Sequence, residues 1–251
     1  MSKDAAPRAP IIVIPARLGS TRLPGKALAD IGGRPMILHV WSHATAAGLG
    51  PVAVATDSDE IAAVVRAAGG AVAMTTGAHI CGSDRIAEAL GLLDPAGRHD
   101  AIINLQGDNP SLPQGALGAA LDLLAEPSVD IGTLAAPAGP EELDDPNAVK
   151  LVGTEISHKR LRALYFTRAR APWGEGPLFK HVGVYAYRRA SFERYAALPP
   201  SPLELRERLE QLRAMEAGMR IDAAVLDKAG PSVDTGRDLA ALRAAIGQEK
   251  Q

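Results

Sequence analysis

A chain of 251 residues is near the upper size for one α/β domain and long enough to bury a large core. Its 47% hydrophobic and 22% charged residues are ordinary for a globular protein, and a net charge of −2 (27 basic against 29 acidic) leaves no broad electrostatic footprint for nucleic acid. One cysteine, Cys81, excludes an internal disulfide framework and a cysteine metal cluster, and no apolar run reaches the roughly 18 residues that span a bilayer.

The polar start, residues 1–10, lacks the apolar core of a signal peptide, so a cytoplasmic protein is expected. In chain order, residues 11–16 read as a buried first strand, 35–48 as a helix with Ile37, Leu38 and Trp41 at helical spacing, and 52–55 as a second strand. Residues 58–68 put Ile61, Val64, Val65 and Ala68 on one helical face, with Gly69-Gly70 as the C-terminal stop. Strands at 72–74, 101–105 and 131–135 and helices at 84–93 and 113–124 continue the alternation, the pattern of a parallel sheet covered by helices on both faces. The second half changes character. Runs 148–152, 162–167 and 182–187 have no long helices between them and read as antiparallel or mixed strands. Pro199, Pro200 and Pro202 then precede an uninterrupted helical pattern over 203–218, followed by a last strand, 221–226, and a last helix, 237–246. With no repeat, low-complexity tract or flexible linker, the expectation is a single α/β unit, 1–251, with a mixed-strand subdomain inserted at roughly 146–200.

The densest chemistry lies in Ile14-Pro15-Ala16-Arg17-Leu18-Gly19-Ser20-Thr21-Arg22-Leu23-Pro24-Gly25-Lys26, directly after the first strand. Its glycines let backbone N–H groups approach an anion closely, and its cations neutralise charge. A triphosphate carries about four negative charges, which suits several cations at the carboxyl end of a parallel strand. The segment is not a P-loop: Gly19 and Gly25 stand too far apart by one residue, and Ala27 follows Lys26 in place of Ser or Thr. Nor is it a G-x-G-x-x-G dinucleotide fingerprint. Further on, Gln106-Gly107-Asp108 follows the run 101–105, which puts Asp108 at the carboxyl end of a central strand, and Asp234 lies just past the last strand. Two aspartates at strand ends suit Mg²⁺, which takes few carboxylates with waters and phosphate oxygens. Each also suits a turn or a helix cap.

In these segments the chain resembles the sugar nucleotidylyltransferases, and specifically the 3-deoxy-D-manno-octulosonate (Kdo) cytidylyltransferases, or CMP-Kdo synthetases, whose loop reads I-P-A-R-x-x-S-T-R-L-P-G-K. The likeness continues in order through Val54-Ala55-Thr56-Asp57, Gly82-Ser83-Asp84-Arg85, Asn104-Leu105-Gln106-Gly107-Asp108, Pro146-Asn147-Ala148-Val149-Lys150, Tyr165-Phe166-Thr167-Arg168-Ala169, Lys180-His181-Val182-Gly183-Val184-Tyr185, Glu210-Gln211-Leu212-Arg213 and Val233-Asp234-Thr235, nearly the whole chain. The resemblance implies a nucleotide-diphospho-sugar transferase-like α/β fold and transfer of CMP from CTP to the C2 hydroxyl of Kdo, with release of pyrophosphate, for lipopolysaccharide biosynthesis. It implies Mg²⁺ as cofactor and favours a homodimer; neither nucleic acid nor membrane is an expected partner. At the nucleotide it implies Ala16, Arg17, Ser20, Arg22, Lys26, Ser83, Arg85 and Gln106, with Lys26, Arg17 and Asp108 catalytic and Asp108 and Asp234 on the metal. At the sugar it implies Arg168, His181, Tyr185, Glu207, Glu210 and Gln211.

A sugar acid needs a cation for its carboxylate and hydrogen-bonding groups for its hydroxyls. On an unbroken strand His181 and Tyr185, four apart, share a face, unless Gly183 marks a bulge. On a helix over 203–218, Glu207, Glu210 and Gln211 share one face, which reads as a sugar contact or as a solvated acidic face. His181 also reads as a structural histidine. Asn109 stands where many family members have Glu, and Cys81 where they have Ser. These departures keep open a cytidylyltransferase acting on an amino-substituted octulosonate, a nonulosonate or a phosphonate. A non-catalytic nucleotide sensor is the alternative of a different class.

Overall fold

The computed structural model describes residues 6–19, 23–77, 79, 81–233 and 235–249. In chain order they form β1 (Pro10–Ala16), a 3₁₀ turn (Lys26–Leu28), β2 (Asp30–Ile31), β3 (Arg34–Pro35), α1 (Met36–Ala46), β4 (Val52–Thr56), α2 (Asp59–Ala67), β5 (Ala71–Met74), α3 (Gly82–Leu93), β6 (Ala101–Leu105), α4 (Ala116–Asp122), β7 (Ile131–Pro137), β8 (Lys150–Ser157), β9 (Arg160–Thr167), β10 (Phe179–Arg188), α5 (Arg189–Ala196), α6 (Pro202–Glu207), α7 (Gln211–Glu216), β11 (Ile221–Val225) and α8 (Gly236–Glu249). These elements belong to two units, the first of residues 9–99, 104–114 and 230–249, the second of 6–8, 100–103 and 115–229.

In the first unit β1, β4 and β5 run parallel, with Ile14 opposite Val54 and Val54 opposite Val72. Ile12, Val13, Ile14, Val54 and Ala55 are wholly buried, because a strand covered on both faces has no side left for polar residues. Helix α1 packs on β1 and β4, α2 on β4 and β5, and α3 on all three strands. The Ser58 hydroxyl caps α2 by accepting from Ile61 N at 3.2 Å, and Asp59 and Glu60 in the first turn complement the helix dipole. A smaller core of Ile31, Met36, Val233, Leu239 and Leu242 binds α8 to the segment after the first loop, with Leu23 and Ala29 packed against it.

In the second unit β7 pairs parallel with β11 and antiparallel with β10, and β9 pairs antiparallel with β11 and β8. The start of β10 returns to β8, placing Lys180 opposite Lys150, so these five strands close on themselves at that end. The antiparallel and mixed pairing expected for 148–187 is what forms, in strands that run longer than their apolar stretches.

One helix is not foreseen and one expectation fails here. Helix α5 does not stand out in the sequence, because its large apolar side chains, Phe192 and Tyr195, span a single turn. The helix expected over 203–218 is two helices. α6 ends at Glu207, Arg208 takes left-handed angles (φ 57°, ψ 47°), and α7 begins at Gln211. The cause is tertiary. Arg168 Nε donates to Glu207 O at 2.8 Å and Nη2 to Arg208 O at 3.4 Å, occupying carbonyls that a continuing helix would need as acceptors. Tyr195 of α5 donates from its hydroxyl to Glu210 O at 3.0 Å. A buried pair, Arg213 to Glu204 through two bonds of 2.8 and 2.6 Å, locks α7 onto α6 in this bent arrangement. The shared helical face of Glu207, Glu210 and Gln211 is lost with the break.

Candidate active site

After β1 the chain returns to the 3₁₀ turn at Lys26. Gly25 sits in the left-handed region (φ 68°), where a Cβ costs about 1–2 kcal/mol. Its N–H donates to Leu18 O at 3.2 Å and closes the base of the loop, while Leu23 and Ala29 anchor both flanks of Lys26 in the small core. Lys26 Nζ donates to Asp108 Oδ2 at 2.8 Å and to Val233 O at 2.9 Å. Asp108 is fixed from its own side. Asn109 N donates to Gln106 O at 3.2 Å across the turn after β6, and Val233 N donates to Asp108 O at 3.0 Å. A Cβ at Gly107 would stand 3.1 Å from Pro15 O, so the turn packs closely on the backbone at the end of β1 and a larger residue would push it back by a few tenths of an ångström. Three segments far apart in sequence thus meet in one polar corner, with the Lys26 and Asp108 side chains 15% and 31% exposed.

The other residues expected at the nucleotide fall into distinct settings. Ala16 is buried at the end of β1 and Arg17 is exposed. Gln106 Nε2 donates to Asn104 Oδ1 at 3.2 Å. Ser83 and Asn104 are wholly buried, and Ser83 Oγ and Asn104 Nδ2 have no hydrogen-bond partner among the described residues, a cost of about 1–3 kcal/mol each. Asn104 is a site candidate that a reading of strand pattern passes over. Arg85 is buried and committed to Asp57 Oδ2 (2.9 Å), Thr75 Oγ1 (2.5 Å) and Thr76 O (3.3 Å), so it braces α3 against the ends of β4 and β5. Ser20, Arg22 and Asp234 lie outside the described residues. Among the described residues no three His, Cys, Asp or Glu side chains gather as a metal cluster. Mg²⁺ does not require one, since one or two carboxylates with waters and phosphate oxygens complete its octahedron. The part-exposed Asp108 carboxylate fits that donor set.

The second unit holds the residues expected at the sugar. Glu207 and Arg168 interlock: Glu207 Oε1 accepts from Thr167 Oγ1 at 2.8 Å and Oε2 from Arg168 N at 3.0 Å. The Arg168 guanidinium spans the carbonyls of Pro146 (2.7 Å), Glu207 and Arg208. On β10 a register shift between Val182 and Tyr185 is the bulge that Gly183 left open, so an unbroken alternation does not relate His181 to Tyr185. Their rings still meet, with centroids 5.2 Å apart, and Phe166 meets His181 edge-on at 5.1 Å. His181 Nε2 lies 2.9 Å from Thr133 Oγ1. Withdrawal from water pushes the His181 pKa down to about 3. Burial, with the nearby charge of Glu210, pushes Tyr185 well above its usual value. Gln211 is 3% exposed, and its Nε2 has no hydrogen-bond partner among the described residues.

Two side chains here escape a sequence reading. Thr133 looks like an ordinary strand residue. Lys150 lies in a quoted motif, yet nothing local reveals that it is wholly buried, donating to Asp145 O (2.7 Å), Ala148 O (2.7 Å) and Glu142 O (3.4 Å), with its pKa lowered by burial. Lys180 pairs with Glu142 in the same segment.

Residues 11–221 match the family model described as Cytidylyltransferase. The chain belongs to the cytidylyltransferase family. Within this family it is 59% identical over 238 residues to a 3-deoxy-manno-octulosonate cytidylyltransferase of Methylobacterium radiotolerans, covering 94% of this chain and 96% of that one. A protein of the same name from Rhodopseudomonas palustris is 58% identical over 234 residues, 93% of this chain and 95% of the relative. Among solved structures, a CMP:2-keto-3-deoxy-manno-octonic acid synthetase complexed with CTP is 40% identical, with a TM-score of 0.86 over 96% of this chain and 99% of that one. A UDP-glucose pyrophosphorylase complexed with UDP-glucose, 11% identical with a TM-score of 0.68 over 96% of this chain and 99% of that one, shares the fold alone. The expected α/β fold of the nucleotide-diphospho-sugar transferase type is therefore the fold of this cytidylyltransferase.

Proposed function

We propose that the chain is a CTP:3-deoxy-D-manno-octulosonate cytidylyltransferase, joining CMP from CTP to the C2 hydroxyl of Kdo and releasing pyrophosphate for lipopolysaccharide biosynthesis. The observation that carries this reading is the near full-length likeness, 59% identity over 94% of the chain, to a relative named for that activity. In the reaction the C2 oxygen bonds to the α-phosphorus as the bond to the β-phosphate oxygen breaks, and the hydroxyl proton departs. Such a transfer rests on positioning and charge neutralisation. Lys26, Arg17 and Arg22 supply cations to the triphosphate, and Ser20 of the same loop supplies a hydroxyl donor. Asp108 and Asp234 would hold Mg²⁺, which when bound would offset the charge of the phosphates. Ser83 and Gln106 serve the cytosine side, with Arg85 holding α3 in place.

On the sugar side, His181, Tyr185, Glu210 and Gln211 offer donors and acceptors for hydroxyls, and Arg168 contributes positive charge toward a carboxylate. A hydroxyl accepting from Gln211 Nε2 would remove the cost of that unpaired donor. The reaction belongs in the cytoplasm, where CTP is made, and no helix among the described residues is long and apolar enough to cross a membrane. The proposed assembly is a homodimer, supported by large apolar side chains left in water on the second unit: Trp173 at 99% exposure, Leu164 at 55% and Ile156 at 45%.

Purified protein supplied with CTP, Kdo and Mg²⁺ should release pyrophosphate and yield a product with the mass of CMP-Kdo. UTP or ATP should serve poorly, and EDTA should stop turnover while circular dichroism stays unchanged. Faster turnover of an amino-substituted octulosonate, a nonulosonate or a phosphonate would overturn the substrate assignment. CTP binding without pyrophosphate release, whatever the acid, would make the protein a sensor.

A further inference from the structure

Strands β7 and β10 lose register where β10 inserts Gly183 and Val184 between Val182, opposite Leu134, and Tyr185, opposite Thr133. Such a bulge takes groups out of the ladder, and the Val184 carbonyl finds a substitute partner: the wholly buried Thr133 hydroxyl, 2.7 Å away. The same hydroxyl oxygen lies 2.9 Å from His181 Nε2. A hydroxyl has one proton to give, and a carbonyl can only accept. At 2.7 Å the proton therefore points to Val184 O, since the opposite choice would set two oxygens face to face with no hydrogen between them. Thr133 then meets His181 as an acceptor, and Nε2 must carry a hydrogen. The ring packs against Phe166 and Tyr185, and the His181 backbone is held by its N–H donating to Val149 O at 2.8 Å. Nδ1 has no hydrogen-bond partner among the described residues.

We propose that Thr133 is a positioning residue that locks His181 as the Nε2–H tautomer, so that Nδ1 accepts a hydrogen bond from a substrate hydroxyl. The tautomer follows from Thr133 and Val184; the hydroxyl partner rests on the sugar-site reading of His181. The chemistry discriminates. A ring protonated at Nδ1 would offer a donor and attract the carboxylate of the sugar acid, whereas a bare Nδ1 repels carboxylate oxygens and accepts from a hydroxyl. The lock thereby sets which end of an acidic sugar faces β10.

Long-range ¹H–¹⁵N correlation spectra of the histidine-labelled full chain read the tautomer, with the His181 pattern assigned by its loss in His181→Gln. Wild type and Thr133→Ser should both show a bare Nδ1 and a protonated Nε2, and Thr133→Val a mixed or reversed pattern. At saturating CTP, Thr133→Val should raise the KM for Kdo about tenfold, the size of one neutral hydrogen bond, with the KM for CTP unchanged and Thr133→Ser near wild type. An Nδ1–H or imidazolium pattern in the wild type at neutral pH overturns the lock without any variant. A Thr133→Val protein with wild-type KM for Kdo overturns the positioning role. Wild type that shows the Nε2–H pattern yet turns over no Kdo upholds the lock and overturns the substrate reading.

Discussion

Lys26 is gripped by an acid and a carbonyl from two other segments, Asp108 and Val233, which orders a side chain that in open solvent has about 2 kcal/mol of rotamer entropy to lose. An ammonium fixed before substrate arrives is what phosphate transfer needs. Lys26→Ala should cost about 2–4 kcal/mol at the transition state, by analogy with loss of one preorganised oxyanion donor, or roughly thirty- to a thousand-fold in rate. Lys26→Arg should recover only part, because a planar guanidinium does not fit the place of a compact ammonium. Kinetics varying CTP and the sugar acid separately would decide, and an effect confined to the KM of the sugar would move Lys26 out of the triphosphate site. His181 carries a pH signature of its own. Its folded pKa of about 3 lies below the usual value of 6.5, so the unfolded chain binds a proton that the fold refuses. This group adds no pH dependence above about 6.5, lowers stability by up to ~1.4 kcal/mol per unit as pH falls from there towards 3, and adds none below that. Between about pH 7 and 5, urea unfolding of wild type should lose stability relative to His181→Asn; a constant difference would show that the ring is not withdrawn from water. The two residues differ in legibility. Lys26 announces itself by local charge density after a strand, whereas the Thr133 that orients His181 lies 48 positions away and looks like any strand threonine.

Between α6 and α7 the sequence offers no breaker: Glu207-Arg208-Leu209-Glu210-Gln211 contains neither glycine nor proline, and propensity favours continuing the helix. The break is imposed by groups outside the segment, the Arg168 guanidinium on the Glu207 and Arg208 carbonyls and the Tyr195 hydroxyl on Glu210 O. Helix periodicity cannot see such partners, which is why the strands and first-half helices were legible and this turn was not. It has a consequence opposite in sign to that of a continuous helix. There, Arg208→Gly would be worse than Arg208→Ala by about 1 kcal/mol. With Arg208 exposed and left-handed at φ 57°, an L side chain carries a penalty of about 1–2 kcal/mol that glycine escapes, partly offset by glycine's greater freedom in the unfolded chain. Arg208→Gly should therefore match or exceed Arg208→Ala in urea midpoint at unchanged m-value, and the reverse order would restore the single helix. The buried Glu204–Arg213 pair makes the same point energetically: Glu204→Gln leaves a charge uncompensated, with an expected loss of about 3–5 kcal/mol.

At the scale of the molecule, alternating apolar runs and helical patterns were enough to read the α/β class, because parallel strands covered by helices leave an unmistakable all-apolar stretch such as Ile11-Ile12-Val13-Ile14. Assembly leaves a weaker trace, since one exposed leucine means little. Trp173 is a different case, at 99% exposure, and it belongs to the same unit as Leu164 on β9 and Ile156 on β8, the latter in a strand whose last four residues are all exposed. If two copies meet through this unit about a two-fold axis, each side chain is buried twice, once from each copy. A stable interface buries about 800 Å² per partner, and Trp alone contributes roughly 150–250 Å² of that. A charge placed there would have to be desolvated on both sides of the axis, at several kcal/mol each. Light scattering at micromolar protein should give twice 26.1 kDa for the wild type and 26.1 kDa for Leu164→Glu or Trp173→Glu, with circular dichroism unchanged because neither side chain supports the core. A wild type that scatters as 26.1 kDa would remove the dimer; dimers that survive both substitutions would move the interface to another face.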